Sequence, residues 1–210
     1  MPKDPSLVTY QTRLLAALVR RKHEPMPPIE VVLPLSELID TAFCESVSED
    51  LYKDGRRWEI RKATPDLWQM LPLSGGLYMF VLVPELMLNV AHPERSEKLR
   101  YALYVGKAGS RSGFTSNLRS RYKAEYRHYV SQDPELLWSL PTGLKRREDV
   151  LRRYLNLHPL EYWYLEISEH ETIDRMEKSL IKLLNPPLNL QGKIKLKPVG
   201  KAVPAFTRGQ

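Results

Sequence analysis

Residues 75–83 read Gly75-Gly76-Leu77-Tyr78-Met79-Phe80-Val81-Leu82-Val83. An unbroken run of apolar, β-branched and aromatic residues behind a glycine pair is a strong strand signal. Downstream, residues 86–100 turn polar and contain Pro93, so they read as a long hairpin connection. Residues 101–105 form a second strand that stops at Gly106, where the backbone must turn or approach something closely. Residues 162–167 alternate and are rich in aromatics, which predicts a third strand. The stretch 109–113 is a flexible loop, and Thr115 or Ser116 can cap a helix running to about residue 130. Residues 133–159 read as a mostly helical insert. No internal repeat or low-complexity tract interrupts the chain.

Upstream, residues 1 to about 70 have the composition of a mainly helical extension. Residues 7–22 predict a helix with Leu14, Leu15, Leu18 and Val19 on its apolar side. A break follows at Pro25, Pro27 and Pro28, then a helix capped by Ser36 and running to about Cys44, and a short strand over 58–61. The division is therefore an extension over 1–70, a main domain over 71–191 with its insert at about 131–160, and a basic tail over 192–210.

Directly after the third strand, residues 169–184 predict a helix, with Ser168 and Glu171 as a capping box and Pro186-Pro187 as the stop. At about 100° per residue, Ile173, Met176, Leu180, Ile181 and Leu184 share one face. Glu177 falls inside that apolar stripe, while Asp174, Arg175, Lys178 and Lys182 point away. An unpaired buried carboxylate costs several kcal/mol, so such a group is normally paired, protonated or bound to a metal. Glu177 is either a stripe-edge residue that reaches water or an Arg, or a functional carboxylate.

The 210 residues suffice for a real core, and 42% hydrophobic with 27% charged is ordinary for a globular protein. No apolar run reaches membrane-spanning length and no secretory signal opens the chain, so a cytoplasmic location and no membrane partner are expected. Cys44 is the single cysteine, which excludes an internal disulfide and reads as a small core or boundary residue. The net charge of +7 is uneven. Lys193, Lys195, Lys197, Lys201 and Arg208 lie in a tail without acidic residues, and Lys145, Arg146, Arg147, Arg152 and Arg153 form a second cluster. Such clusters are either solvated faces or phosphate-binding surfaces. His92, His158 and His170 lack metal-ligand spacing.

On the helix after the 109–113 loop, Leu118, Tyr122 and Tyr129 form the apolar side, with Arg121, Glu125 and His128 along one edge. This row is a surface ion pair worth a few tenths of a kcal/mol, or an arginine aimed at a phosphate and oriented by Glu125.

Four short motifs then stand in a recognisable order. Gly76-Leu77-Tyr78 resembles the first signature of the GIY-YIG nuclease family, and Tyr104-Val105-Gly106 with Lys107-Ala108 resembles the second. Asn117-Leu118-Arg119-Ser120-Arg121 resembles the helix signature. Glu177, Leu180-Ile181 and Asn185-Pro186-Pro187-Leu188-Asn189 resemble the closing one. The pattern covers about residues 75–191 and is especially similar to the nuclease domain of the bacterial excision-repair incision protein. Each motif alone is weak; their order on the right elements is specific. The departures are the long connection between Tyr78 and Tyr104, the insert, and Glu125, which stands where the family often has His or Tyr. Tyr126 and His128 are the nearby substitutes, and His128, on the Arg121 edge, is preferred.

The resemblance implies an α+β fold, a small three-stranded antiparallel β-sheet flanked by helices, with Tyr78, Tyr104, Arg121 and Glu177 in one cleft. It implies a Mg²⁺- or Mn²⁺-dependent endonuclease that hydrolyses DNA phosphodiester bonds. Glu177 is then the metal ligand and Arg121 binds the scissile phosphate. Tyr78 or Tyr104 positions water, and one of them is a candidate general base if its pKa falls far below about 10. Lys107 helps lower that pKa or holds a phosphate. Arg119 and Asn189 belong to the substrate side, Asn189 chiefly by fixing Glu177's surroundings. A restriction or mobile-element enzyme is the first expectation, with a repair or structure-specific nuclease as the alternative. A silent nucleic-acid-binding module on the same fold is the other. A homodimer is expected if both strands are cut.

Overall fold

A computed structural model of the chain describes residues 5–22, 24–26, 28–84, 86–89, 96–109, 116–130, 132–141, 143–157 and 160–192. In chain order the elements are α1 (Pro5–Arg20), α2 (Leu35–Leu38), α3 (Thr41–Tyr52), β1 (Glu59–Lys62), β2 (Gly76–Leu82), β3 (Met87–Asn89), β4 (Ser96–Lys98) and β5 (Tyr101–Ala108). They continue with α4 (Leu118–Glu125), α5 (Leu136–Ser139), α6 (Arg147–Tyr154), β6 (Leu160–Glu166) and α7 (His170–Leu184).

The fold is α+β, with one four-stranded antiparallel sheet in the order β1-β6-β2-β5. This corrects the expected three strands. The additional strand, β1, comes from the segment read as extension and pairs Ile60 with Trp163 on β6. All its residues are exposed, so its Glu-Ile-Arg-Lys sequence carries no burial alternation to reveal sheet membership. The long connection between β2 and β5 carries its own antiparallel pair, β3 and β4, with Leu88 opposite Glu97.

β2 lies between β5 and β6, and both of its faces are covered. Tyr78 and Phe80 join Tyr104, Tyr162 and Tyr164 on one face, packed by Leu118 and Tyr122 of α4, by Tyr126, and by Val150 and Leu151 of α6. Leu77, Met79 and Val81 join Val105 and Leu165 on the other, packed by Ile173, Met176, Leu180 and Ile181 of α7 and by Val47 and Leu51 of α3. Two buried faces explain why 77–83 is apolar at every position instead of alternating. Trp163 packs against the α7 side of the sheet.

Several local expectations change. α7 begins at His170 without a side-chain cap, so the Ser168–Glu171 box does not form. Asn185 ends it in the left-handed region, at φ 43°, a conformation that asparagine tolerates better than most residues. α4 is capped by Asn117, whose side chain accepts from the Ser120 amide while Ser120 Oγ accepts from the Asn117 amide. It ends at Glu125, earlier than the pattern predicts. Asp40 caps α3 and accepts from Phe43, and no Ser36 cap is made. On α1, Leu15, Leu18 and Val19 are exposed and Ala17 is buried, so the expected apolar side does not enter the core. The basic tail from Lys193, together with His92, His158 and Thr115, lies outside the described residues. Among the described residues no helix is long and apolar enough to cross a membrane.

Candidate active site

β5 is an edge strand, and the site lies across its open edge. Val81 pairs with Ala102 and Phe80 with Tyr104, leaving Leu103 as a bulge. From Tyr104 onward the strand alternates, sending Tyr104 to the aromatic face while Val105 packs on the α7 side. The closing Pro186-Pro187 turn seals the edge. The Leu188 amide donates to the Leu103 carbonyl at 2.9 Å. Asn189 Oδ1 accepts from the Val105 amide and its Nδ2 donates to the Val105 carbonyl, each at 2.9 Å. A side-chain amide thus substitutes for the neighbouring strand that β5 lacks. Asn189 is buried and fully engaged with β5, a positioning role for the α7 end of the site.

Both signature glycines have steric reasons. A Cβ on Gly76 would stand 2.0 Å from the Leu165 carbonyl oxygen. β5 does not stop at Gly106 but runs on to Ala108; Gly106 pairs with Tyr78 across the ladder, and a Cβ there would stand 2.5 Å from the Tyr78 ring.

A cleft of about 720 Å³ opens at this edge, lined by Tyr104, Lys107, Glu177, Lys178, Asn189 and Arg147 among others. The side chain of Glu177 is only 16% exposed. Lys107 Nζ lies 2.6 Å from Glu177 Oε2 and 3.0 Å from Asp174 Oδ1. Burial pulls the Lys107 ammonium down, and the two carboxylates more than reverse this, so its pKa lies above the ordinary value. Glu177 is therefore a paired carboxylate on a cleft wall. Asp174, one turn earlier, shares its lysine instead of pointing away.

The opposite wall is cationic and comes from the other face of the sheet. Glu125 bridges two arginines: Arg121 Nη1 pairs with its Oε1, and Arg147 Nη2 donates to its Oε2 at 2.9 Å. Arg147 Nη1 donates to the Tyr104 hydroxyl at 3.3 Å. Arg121 does not line the cleft and is joined to it through Glu125 and Arg147. Burial lowers the Arg121 pKa, but Tyr78 and Glu125 outweigh it and leave the value raised.

The two tyrosines differ. Tyr78 is 1% exposed, and its hydroxyl meets that of Tyr126 inside the aromatic core. Burial pushes the Tyr78 pKa well above its ordinary value. Burial thus favours the neutral phenol at Tyr78, and its side chain stands in the core rather than in the cleft lining. Tyr104 is the tyrosine whose side faces the cleft.

Two further expectations are corrected. His128 lies beyond the end of α4, is exposed, and contacts Arg127, so it does not share the Arg121 edge; Tyr126 is the residue that reaches Tyr78. Arg119 Nε donates to the Leu71 carbonyl at 2.6 Å and its amide to the Pro72 carbonyl, which fastens α4 to the chain before β2. It does not line the cleft. In the sequence Arg147 stands out only as part of a basic cluster. Its contact with Tyr104 arises from tertiary packing of α6, which no local pattern announces.

A single carboxylate beside a cleft fits an ion such as Mg²⁺, which keeps several waters and uses few protein ligands. Among the described residues no group of three or more His, Cys, Asp or Glu gathers as a metal cage, which does not suit an ion held by protein alone. No protein-family model, no curated protein and no solved structure matches this chain.

Proposed function

We propose that this protein is a GIY-YIG-type endonuclease that hydrolyses DNA phosphodiester bonds with Mg²⁺ or Mn²⁺, of the restriction or mobile-element kind. The observation that carries the reading is the meeting of Tyr104, Lys107, Arg147 and Glu177 in one cleft at the β5 edge. Three cations, Lys107, Arg147 and Lys178, beside the carboxylate of Glu177 suit a bound phosphate better than an apolar ligand. The order of the four sequence motifs supports the same reading.

Glu177 would hold the ion. When bound, it would neutralise charge on the phosphate and stabilise the leaving 3′ oxygen. Lys107 would bind phosphate oxygens, and Arg121, behind the cleft lining, would add positive charge that favours the transition state. Tyr104 would orient the attacking water, with its hydroxyl held by Arg147. A new bond forms between the water oxygen and phosphorus while the bond from phosphorus to O3′ breaks; one water proton ends on O3′ and the other passes to solvent, leaving a 5′ phosphate and a 3′ hydroxyl. Asn189 keeps the cleft edge in place through Val105.

The test is plasmid cleavage in Mg²⁺ and in EDTA, beside Glu177→Gln and with duplex binding measured in parallel. Metal-dependent cutting by wild type alone, with equal binding by both proteins, is expected. Discrete fragments mark a restriction-type enzyme. Intact plasmid is followed by branched and single-stranded DNA, whose selective cutting identifies a structure-specific nuclease. Binding with no cutting of any substrate overturns the enzyme reading in favour of a binding module.

A further inference from the structure

We propose that Arg147 is a phosphate-binding arginine of this cleft and that Glu125 is the positioning residue that holds it beside Arg121. The nature of the phosphate, that of a DNA strand, rests on the function proposed above.

Arg147 is the first residue of α6, outside every motif that points to the nuclease reading. Val150 and Leu151 of α6 are buried against the aromatic face of the sheet, which fixes where the helix starts relative to β5 and α4. One guanidinium edge is occupied by Glu125 at 2.9 Å and Tyr104 at 3.3 Å. A guanidinium carries more N–H donors than these two contacts use. The side chain is 39% exposed, and it lines both the cleft and the neighbouring hollow between α4 and α6. Across the cleft stand Lys107 and Lys178.

A bridging carboxylate between two arginines serves a purpose here. Two neighbouring guanidiniums repel each other, and Glu125 offsets that repulsion before an anion arrives. It leaves the planar forks oriented, the geometry in which arginine binds phosphate through parallel N–H bonds. This accounts for a carboxylate one turn after Arg121. An ion pair with no further role would leave unexplained why Arg147 also contacts the tyrosine that faces the cleft.

The experiment is fluorescence anisotropy with a fluorescein-labelled mixed-sequence duplex, in Ca²⁺ so that binding is read apart from cutting, over a range of NaCl. Wild type is compared with Arg147→Gln, Arg147→Lys and Lys62→Met. Arg147→Gln removes the charge but keeps an amide donor for Glu125. Lys62→Met removes a charge from β1, the far edge of the sheet. Arg147→Gln is expected to weaken binding about 10-fold and to lower the slope of log K against log salt by about 0.9. Lys62→Met is expected to match wild type. Arg147→Lys is expected to keep the slope but to lose about 10-fold in kcat on plasmid, with KM changed less, since an ammonium lacks the fork.

Wild-type affinity and slope in Arg147→Gln overturn the proposal, as does a wild type that binds no duplex. If Arg147→Gln does not fold, Arg147→Lys decides, and its full wild-type binding and cutting overturn the role. A wild type that binds duplex but cuts nothing removes the nuclease reading, and the Arg147→Gln slope still decides the phosphate contact.

Discussion

Gly106 sits under the Tyr78 ring with no room for a methyl group. Tyr78 in turn is locked between Tyr126 and Tyr162, with ring centroids 5.5 Å away in each case. Gly106→Ala must displace backbone or ring, so it is expected to destabilise by about 2–4 kcal/mol in urea titration. A loss below about 0.5 kcal/mol would mean that Tyr78 moves freely. Tyr78, Tyr126 and Tyr162 all have pKa values raised by burial. The unfolded chain loses these protons near pH 10 while the folded one keeps them. Stability is therefore fully present below about pH 10 and falls above it, by about 1.4 kcal/mol per pH unit for each tyrosine involved. Thermal melts between neutral and strongly alkaline pH measure the slope; a flat profile would contradict the buried neutral phenols. The same contrast separates the two signature tyrosines in activity. Tyr104→Phe is expected to lose about 100-fold in cutting, through its contact with the cleft, and Tyr78→Phe clearly less. Equal losses from plasmid assays would return Tyr78 to the chemistry.

At the level of elements, the edge of β5 is held at Val105 by one side chain. Asn189 satisfies both backbone groups of Val105, and Asn189→Ala would leave an amide and a carbonyl without those partners. The expected cost is about 2–4 kcal/mol, together with faster hydrogen exchange confined to β5 and the end of α7. Uniform exchange over the sheet would show that the Pro-Pro turn holds the edge without Asn189. Element types are largely readable in the sequence, because apolar runs and 3.6-residue periodicity mark buried strands and α7. Ends are less so. The Ser168–Glu171 pattern has the right spacing for a capping box, yet Glu169 takes the N-cap position, and its side chain pairs with Arg56 instead of capping the helix. β1 is the least readable as part of the sheet, since an exposed charged edge strand is held by its partner β6 rather than by its own side chains.

Across the whole molecule, the basic excess is spread between the insert and the tail. The tail's Lys193, Lys195, Lys197 and Lys201 add positive charge without nearby acidic residues. Deleting them is expected to weaken duplex binding and flatten its salt dependence, by about 0.9 in slope for each phosphate that is no longer neutralised. An unchanged slope would assign binding to the cleft alone. The residues of the site are distributed over 104–189, and their meeting depends on layers. α7 packs one face of the sheet and presents Glu177, while α4 and α6 pack the other and present Arg121, Glu125 and Arg147. Because β5 is the edge, the two groups face each other around it without crossing the core.

From the sequence by itself came the strands at 77–83 and 101–105, the helix bearing Glu177, the anomaly of a carboxylate in an apolar stripe, and the order of motifs. These are local: they follow from side-chain period, turn chemistry and the cost of burying charge. Only the tertiary structure decided that Glu177 pairs with Lys107, that Tyr78 is sealed in the core while Tyr104 meets the cleft, that His128 and Arg119 stay away from it, and that Arg147 enters it. Those outcomes depend on which surfaces two elements bring together, and burial, unlike periodicity, belongs to the pair of surfaces and not to either segment alone.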